Sequence, residues 1–183
     1  MTLSATDREA LADLVRRTGY ERRDEAFQLS SGGWSQDYVD GKYAIARGDS
    51  LRQASQAVVD VIGEPFDAVG GPTMGADALA HGVSLLTGCG WFSVRKEAKG
   101  HGRGTWVEGI RLQPGDRVVV VEDVVSTGAS LLRAAERLTE LGVSLVAATA
   151  LLDRSPRVGE RFAAAGIRWV PLLTWADLEI EPL

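Results

Sequence analysis

One stretch of this 183-residue chain constrains its fold more than any other: VVVVEDVVSTGASLL, positions 118–132. From Arg117 to Asp123 it is a nearly unbroken run of β-branched apolar residues ending in two acids, as expected of a central strand buried on both faces. A turn of small hydroxyl residues and glycine follows, and SLLRAAERLTELG (130–142) then has helical spacing and closes at Gly142. The same alternation runs through most of the chain. DAVGG (67–71), WFSVR (91–95), LVAATALLD (145–153) and IRWVPLL (167–173) read as strands. Residues from about Ser50 to Ile62, GADALAHGVSLL (75–86) and GERFAAAG (159–166) read as helices. This predicts an α/β fold, a mainly parallel central sheet flanked by helices. Such sheets bind ligands beyond the carboxyl ends of their strands, here after residues 71, 95, 123 and 153.

The first 45 residues differ. Thr6 and Glu9 resemble a capping box for a helix that should stop near Gly19, and residues 27–43 read as two short strands joined by a turn. No repeat, low-complexity tract or linker divides the chain, so it reads as a single domain over 1–183. Residues 1–45 form a small N-terminal subdomain and residues 46–183 the core. The lone cysteine, Cys89, cannot make an internal disulfide, which suits a reducing cytoplasm. No apolar run is long enough to cross a bilayer, and the polar, acidic N-terminus is unlike a secretory signal. A net charge of −5 with no basic face argues against nucleic acid as a partner.

The chemistry concentrates where the buried strand ends. Small residues let backbone N–H groups approach a phosphate, and the helix start adds the positive end of its dipole. Ser126, Thr127 and Ser130 can donate to the same anion. Glu122 and Asp123 would repel a phosphate on contact, but suit the hydroxyls of an attached ribose with a divalent cation nearby. On these residues alone, a solvated acidic turn with an ordinary helix cap reads the segment equally well.

The second concentration is of cations. Lysine occurs three times, at Lys42, Lys96 and Lys99, against seventeen arginines. Two of the three fall in RKEAKGHGRG (95–104), where Arg95, Lys96, Lys99 and Arg103 face only Glu97, a local charge of +3 with His101 between them. Three glycines exclude a regular element, so the segment reads as a mobile lid whose cations neutralise a leaving diphosphate. A solvated charged loop is the plainer alternative.

Two motifs carry a family resemblance. Residues 118–128 resemble the phosphoribosyl-pyrophosphate (PRPP) signature of type I phosphoribosyltransferases: hydrophobic residues, two acids, two hydrophobics, then Ser-Thr-Gly. VRKEAKGHG, with Glu108-Gly109 after it, resembles the motif of orotate phosphoribosyltransferases. FQLSSGG, YVDGK, GGPTMGADALA, LLDR and LTWADL extend the likeness over nearly the whole chain.

The resemblance implies a Mg2+-dependent glycosyl transfer in pyrimidine biosynthesis, from PRPP to orotate. Glu122, Asp123, Val124, Val125, Ser126, Thr127, Gly128, Ala129 and Ser130 would cradle the 5′-phosphate and ribose. Arg95, Lys96, Lys99 and His101 would contact the pyrophosphate, and Ser126 and Arg154 the orotate. Asp123, Lys99 and His101 would be catalytic. Mg2+ would be held mainly through PRPP, with Glu122 and Asp123 as its possible protein ligands. The loop at 95–104 would form a flexible hood reaching the neighbouring subunit of a homodimer. One departure bears on the base: Asp37 stands where many members carry an aromatic residue, and an acid there weakens binding of a carboxylate unless it points away. A non-catalytic PRPP sensor and a transferase for another base are the alternative readings.

Overall fold

The computed structural model describes residues 2–28, 32–97 and 106–183. Helix α1 (Ala5–Thr18) leads into a hairpin of β1 (Tyr20–Gln28) and β2 (Trp34–Val39), then the short α2 (Gly41–Ala44) and α3 (Gly48–Ile62). Next come β3 (Ala68–Pro72), α4 (Asp77–Thr87), β4 (Gly90–Val94), β5 (Val107–Gly109) and β6 (Arg117–Val125). Then α5 (Ala129–Glu140), β7 (Ser144–Asp153), α6 (Val158–Ala164), β8 (Leu173–Thr174) and a final 3-10 turn, Trp175–Leu178, close the chain. The main sheet has the order β5-β4-β3-β6-β7-β8. Among its named pairs only β4–β5 is antiparallel.

Strand β6 lies inside this sheet between β3 and β7, and its valine run has a simple cause. Successive side chains of a strand point to opposite faces. Val119 and Val121 enter a core with Leu11 and Val15 of α1, Val58 and Ile62 of α3, and Leu79 of α4. Val118 and Val120 enter a second core with Leu131 and Leu138 of α5 and Phe162 of α6. All four valines are fully buried, so neither face of the strand tolerates a polar residue until the sheet's edge is reached at Glu122. Truncating one of them to alanine costs about 2–3 kcal/mol by lost burial and cavity formation.

Several expectations shift. Helix α1 is capped by Ser4, whose Oγ accepts from the Asp7 N–H, and not by Thr6. The first strand of the hairpin starts at Tyr20, seven residues before the predicted segment, because β1 is largely exposed on both sides and shows no apolar alternation. The last predicted strand is broken. Trp169 makes an isolated bridge to Ala148, and regular pairing resumes only at Leu173–Thr174. The N–H groups of Val170 and Leu172 bond to β7, while Pro171 between them has none to offer. Among the described residues, no helix is long and apolar enough to cross a membrane.

Candidate active site

The turn after β6 forms the floor of the site. Gly128 caps α5 with φ of +73°, a left-handed conformation that glycine adopts without strain. Arg161 of α6 donates to the Thr127 carbonyl at 2.6 Å from behind the turn. The result is a cavity of about 150 Å³ lined by Glu122 and residues 124–131. Its wall contains the Ser126, Thr127 and Ser130 side chains and the first turn of a twelve-residue helix. Predicted residues Glu122 and Val124 through Ser130 therefore surround one cavity, and Asp123 lies beside it.

Glu122 and Asp123 are both buried, each 8% exposed, at the carboxyl end of β6. Burial, with the Asp123 charge adding to it, pushes the Glu122 carboxyl up to about 9. It is therefore protonated at neutral pH. The Val124 N–H donates to Asp123 Oδ1 at 2.7 Å, and Lys42 Nζ lies 3.4 Å from Oδ2. Lys42 also pairs with Asp40 at 3.2 Å. Burial works against its ammonium, but Asp123 and Asp40 outweigh that and raise its pKa. Gly75, in the loop after β3, presses on both acids. A Cβ there would come within 2.3 Å of Glu122 Oε1 and 2.5 Å of Asp123 Oδ1. Asp77 ties this loop to β4, accepting from Thr73 Oγ1 at 2.9 Å and Ser93 Oγ at 2.7 Å.

A second cavity, of about 130 Å³, shares Ser130 with the first. Arg95, Lys96, Arg133 and Arg137 line it. Arg95 pairs with Glu108 at 2.8 Å. Arg137 donates to the Arg95 carbonyl at 2.6 Å and to that of Lys96 at 3.5 Å. Its guanidinium also stacks 3.5 Å over the Trp106 ring, while the Arg95 N–H donates to the Trp106 carbonyl. Lys99 and His101 lie outside the described residues.

Arg154 is buried, with its backbone N–H on the Val125 carbonyl. Its Nη1 donates to the Asp37 carbonyl at 2.7 Å and its Nη2 to Ser35 Oγ at 3.5 Å, while its buried Nε has no acceptor among the described residues. Neighbouring Asp153 is bonded to Trp169 Nε1 and the Ser155 N–H. His81 sits on the exposed side of α4, edge-on to Trp91 with ring centroids 4.5 Å apart. Cys89 is half-buried, and burial pushes its thiol pKa up, away from reactivity. Sequence reasoning gave no role to Lys42, Gly75, Arg133 or Arg137. Lysine scarcity was the one signal that could have found the first.

A parallel sheet whose central strand ends in two acids and a small-residue turn leading into a helix is the arrangement expected of a phosphoribosyltransferase. The family model described as a phosphoribosyl transferase domain matches residues 44–163. The orotate phosphoribosyltransferase of Methanothermobacter thermautotrophicus is 38% identical over 170 residues, 93% of each chain. The Mycobacterium tuberculosis orotate phosphoribosyltransferase, solved with Fe(III) dicitrate, superposes with a TM-score of 0.82 at 33% identity, covering 95% of this chain and 99% of that one. Its complex with 5-phospho-alpha-D-ribosyl 1-diphosphate gives a TM-score of 0.79 at 32% identity, with the same coverage. The chain belongs to the orotate phosphoribosyltransferase family.

Proposed function

We propose that the chain transfers the 5-phosphoribosyl group of PRPP to orotate, giving orotidine 5′-monophosphate and pyrophosphate. The observation that carries this reading is the phosphate-sized turn at 126–130 set directly beyond two buried carboxylates. The turn takes the 5′-phosphate through backbone N–H groups, the hydroxyls of Ser126, Thr127 and Ser130, and the α5 dipole. Glu122 and Asp123 then face the ribose hydroxyls. In the reaction a bond forms between an orotate ring nitrogen and C1 of the ribose, and the bond from C1 to the pyrophosphate oxygen breaks. Positive charge that develops on the ribose is stabilised by Asp123, and negative charge on the leaving group by Arg95, Lys96 and, on the family's motif, Lys99. A deprotonated orotate nitrogen needs no strong base from the protein. His101 serves as proton donor to the pyrophosphate. If His101→Ala leaves turnover unchanged at saturating PRPP, that role is void.

The donor set fits Mg2+. The two acids beside the turn offer hard oxygens, Asp123 as it stands and Glu122 once a cation displaces its proton. That suits a cation taking most of its ligands from a diphosphate, with Glu122 and Asp123 contributing at the ribose side. Bound there, Mg2+ supplies charge neutralisation and a template for the diphosphate. The family's shared-hood arrangement supports a homodimer as the working form, and the lone free cysteine supports a reducing cytoplasm as its compartment.

Asp37 does not bar orotate from the site. Its carboxylate accepts from Tyr20 Oη and Arg22 Nη1, both at 2.9 Å, and only its backbone carbonyl meets Arg154. Mixing the protein with PRPP, Mg2+ and orotate and following orotate absorbance tests the reading. A loss that requires PRPP and Mg2+ is expected. PRPP binding without turnover would indicate a sensor, and turnover of uracil or a purine alone would indicate another base.

A further inference from the structure

Two guanidiniums and one carboxylate meet beneath β2. Arg154 holds the Asp37 carbonyl at 2.7 Å, and Arg22 holds the Asp37 carboxylate at 2.9 Å. Tyr20 Oη donates to the same carboxylate oxygen, Oδ1. Asp37 is 3% exposed, and its N–H is occupied by Ser35 Oγ. A carboxylate so buried acts on its neighbours through little water, so its charge is felt at Arg154. Burial pushes the Arg154 pKa below the usual range, with Asp37 pulling the other way. The cluster therefore carries one surplus positive charge, and the buried Arg154 Nε has no acceptor among the described residues.

We propose that the Asp37–Arg22 pair sets the strength with which Arg154 binds an acidic nucleobase: Asp37 weakens that grip and Arg22 restores it. The inference rests on the reading above that Arg154 receives the orotate carboxylate. It makes Asp37 and Arg22 specificity-determining residues that act through Arg154. Electrostatics gives the two substitutions opposite signs. Asp37→Asn keeps the side-chain shape, the acceptor for Tyr20 and the carbonyl for Arg154, but removes the opposing charge. Arg22→Gln leaves the Asp37 charge less compensated; its side chain is 61% exposed, so it can be changed without opening the core.

The experiment measures KM for orotate and for PRPP, and the inhibition constant of uracil against orotate, in the wild type and both variants. Uracil lacks the carboxylate and serves as the internal control. Asp37→Asn should lower the orotate KM roughly tenfold. Arg22→Gln should raise it roughly two- to threefold, an effect that fades in high salt. The uracil constant and the PRPP KM should move less than twofold in either variant. If the two variants shift the orotate KM in the same direction, or shift uracil equally, the pair is structural and the proposal is wrong. Absence of orotate turnover in the wild type would instead overturn the functional reading on which the proposal rests.

Discussion

Replacing Glu122 by glutamine should stabilise the ligand-free protein, increasingly so as pH rises. In the unfolded chain Glu122 releases its proton near its ordinary value of 4.5, whereas in the folded state burial and Asp123 hold it to about 9. Between those values the folded state binds the extra proton, so this group's contribution to stability is undiminished below about pH 4.5. It is lost progressively as pH rises to about 9. With 1.36 kcal/mol per unit, the 2.5 units between 4.5 and pH 7 correspond to about 3 kcal/mol, and the full span above pH 9 to about 6 kcal/mol. These are upper bounds, because an ionising carboxylate draws in water that screens it. Glutamine matches the protonated acid in shape and carries no such penalty. Melting curves of wild type and Glu122→Gln at pH 5, 7 and 9 and constant ionic strength should separate with pH. At pH 7 the variant should melt up to about 6–12 °C higher, taking 2–4 °C per kcal/mol for a chain of this size. Parallel pH profiles for the two proteins would refute the reasoning. The same variant should bind PRPP with Mg2+ more weakly, since an amide has no proton to give up and cannot become the anionic ligand that Glu122 would present to the cation.

Three further substitutions probe the site's framework. Gly75→Ala forces a methyl group to within 2.3 Å of Glu122 Oε1, so the acids must move; kcat/KM for PRPP should fall at least about tenfold with melting little changed, as steady-state kinetics would register. Gly128→Ala puts a side chain at φ +73° and 3.2 Å from Phe162, costing about 1–2 kcal/mol in denaturant melts and weakening inorganic phosphate binding by calorimetry. Arg137→Ala removes the donor to the Arg95 carbonyl and the stack on Trp106, about 2 kcal/mol together, and should raise the PRPP KM more than the orotate KM.

What could be read from the sequence follows from how local each signal is. Strand β6, the turn at 126–128 and α5 are contiguous, and burial of both faces leaves an unmistakable valine run. Strand β5 spans only Val107–Gly109, too short for any pattern. The charged strand YERRDEAFQ is held by its hairpin partner and buries no face of its own, so alternation is absent. In the site, residues 122–130 were legible for the same reason of contiguity. Lys42 reaches Asp123 across 81 positions and Arg137 reaches Arg95 across 42, and nothing in the local sequence announces either contact.

The electrostatics of the site explains why those distant cations are needed. A phosphate turn placed directly after two acids would, with both ionised, repel its own ligand. The protein resolves this in two ways. Glu122 is left so deeply buried that it keeps its proton, and Asp123 is given Lys42 as a counter-charge. The cations that would meet the diphosphate on the proposed reading line a separate cavity, which shares only Ser130 with the turn at 126–130. There Arg137 is spent on backbone carbonyls, which leaves Lys96 and Arg133 without an acid among the described residues. On the proposed reading charge is thus sorted by ligand part, with neutral donors at the phosphate, compensated acids at the ribose and, at the diphosphate, cations that have no acid among the described residues. A transfer whose transition state separates ribose from diphosphate gains most when those last two environments remain distinct.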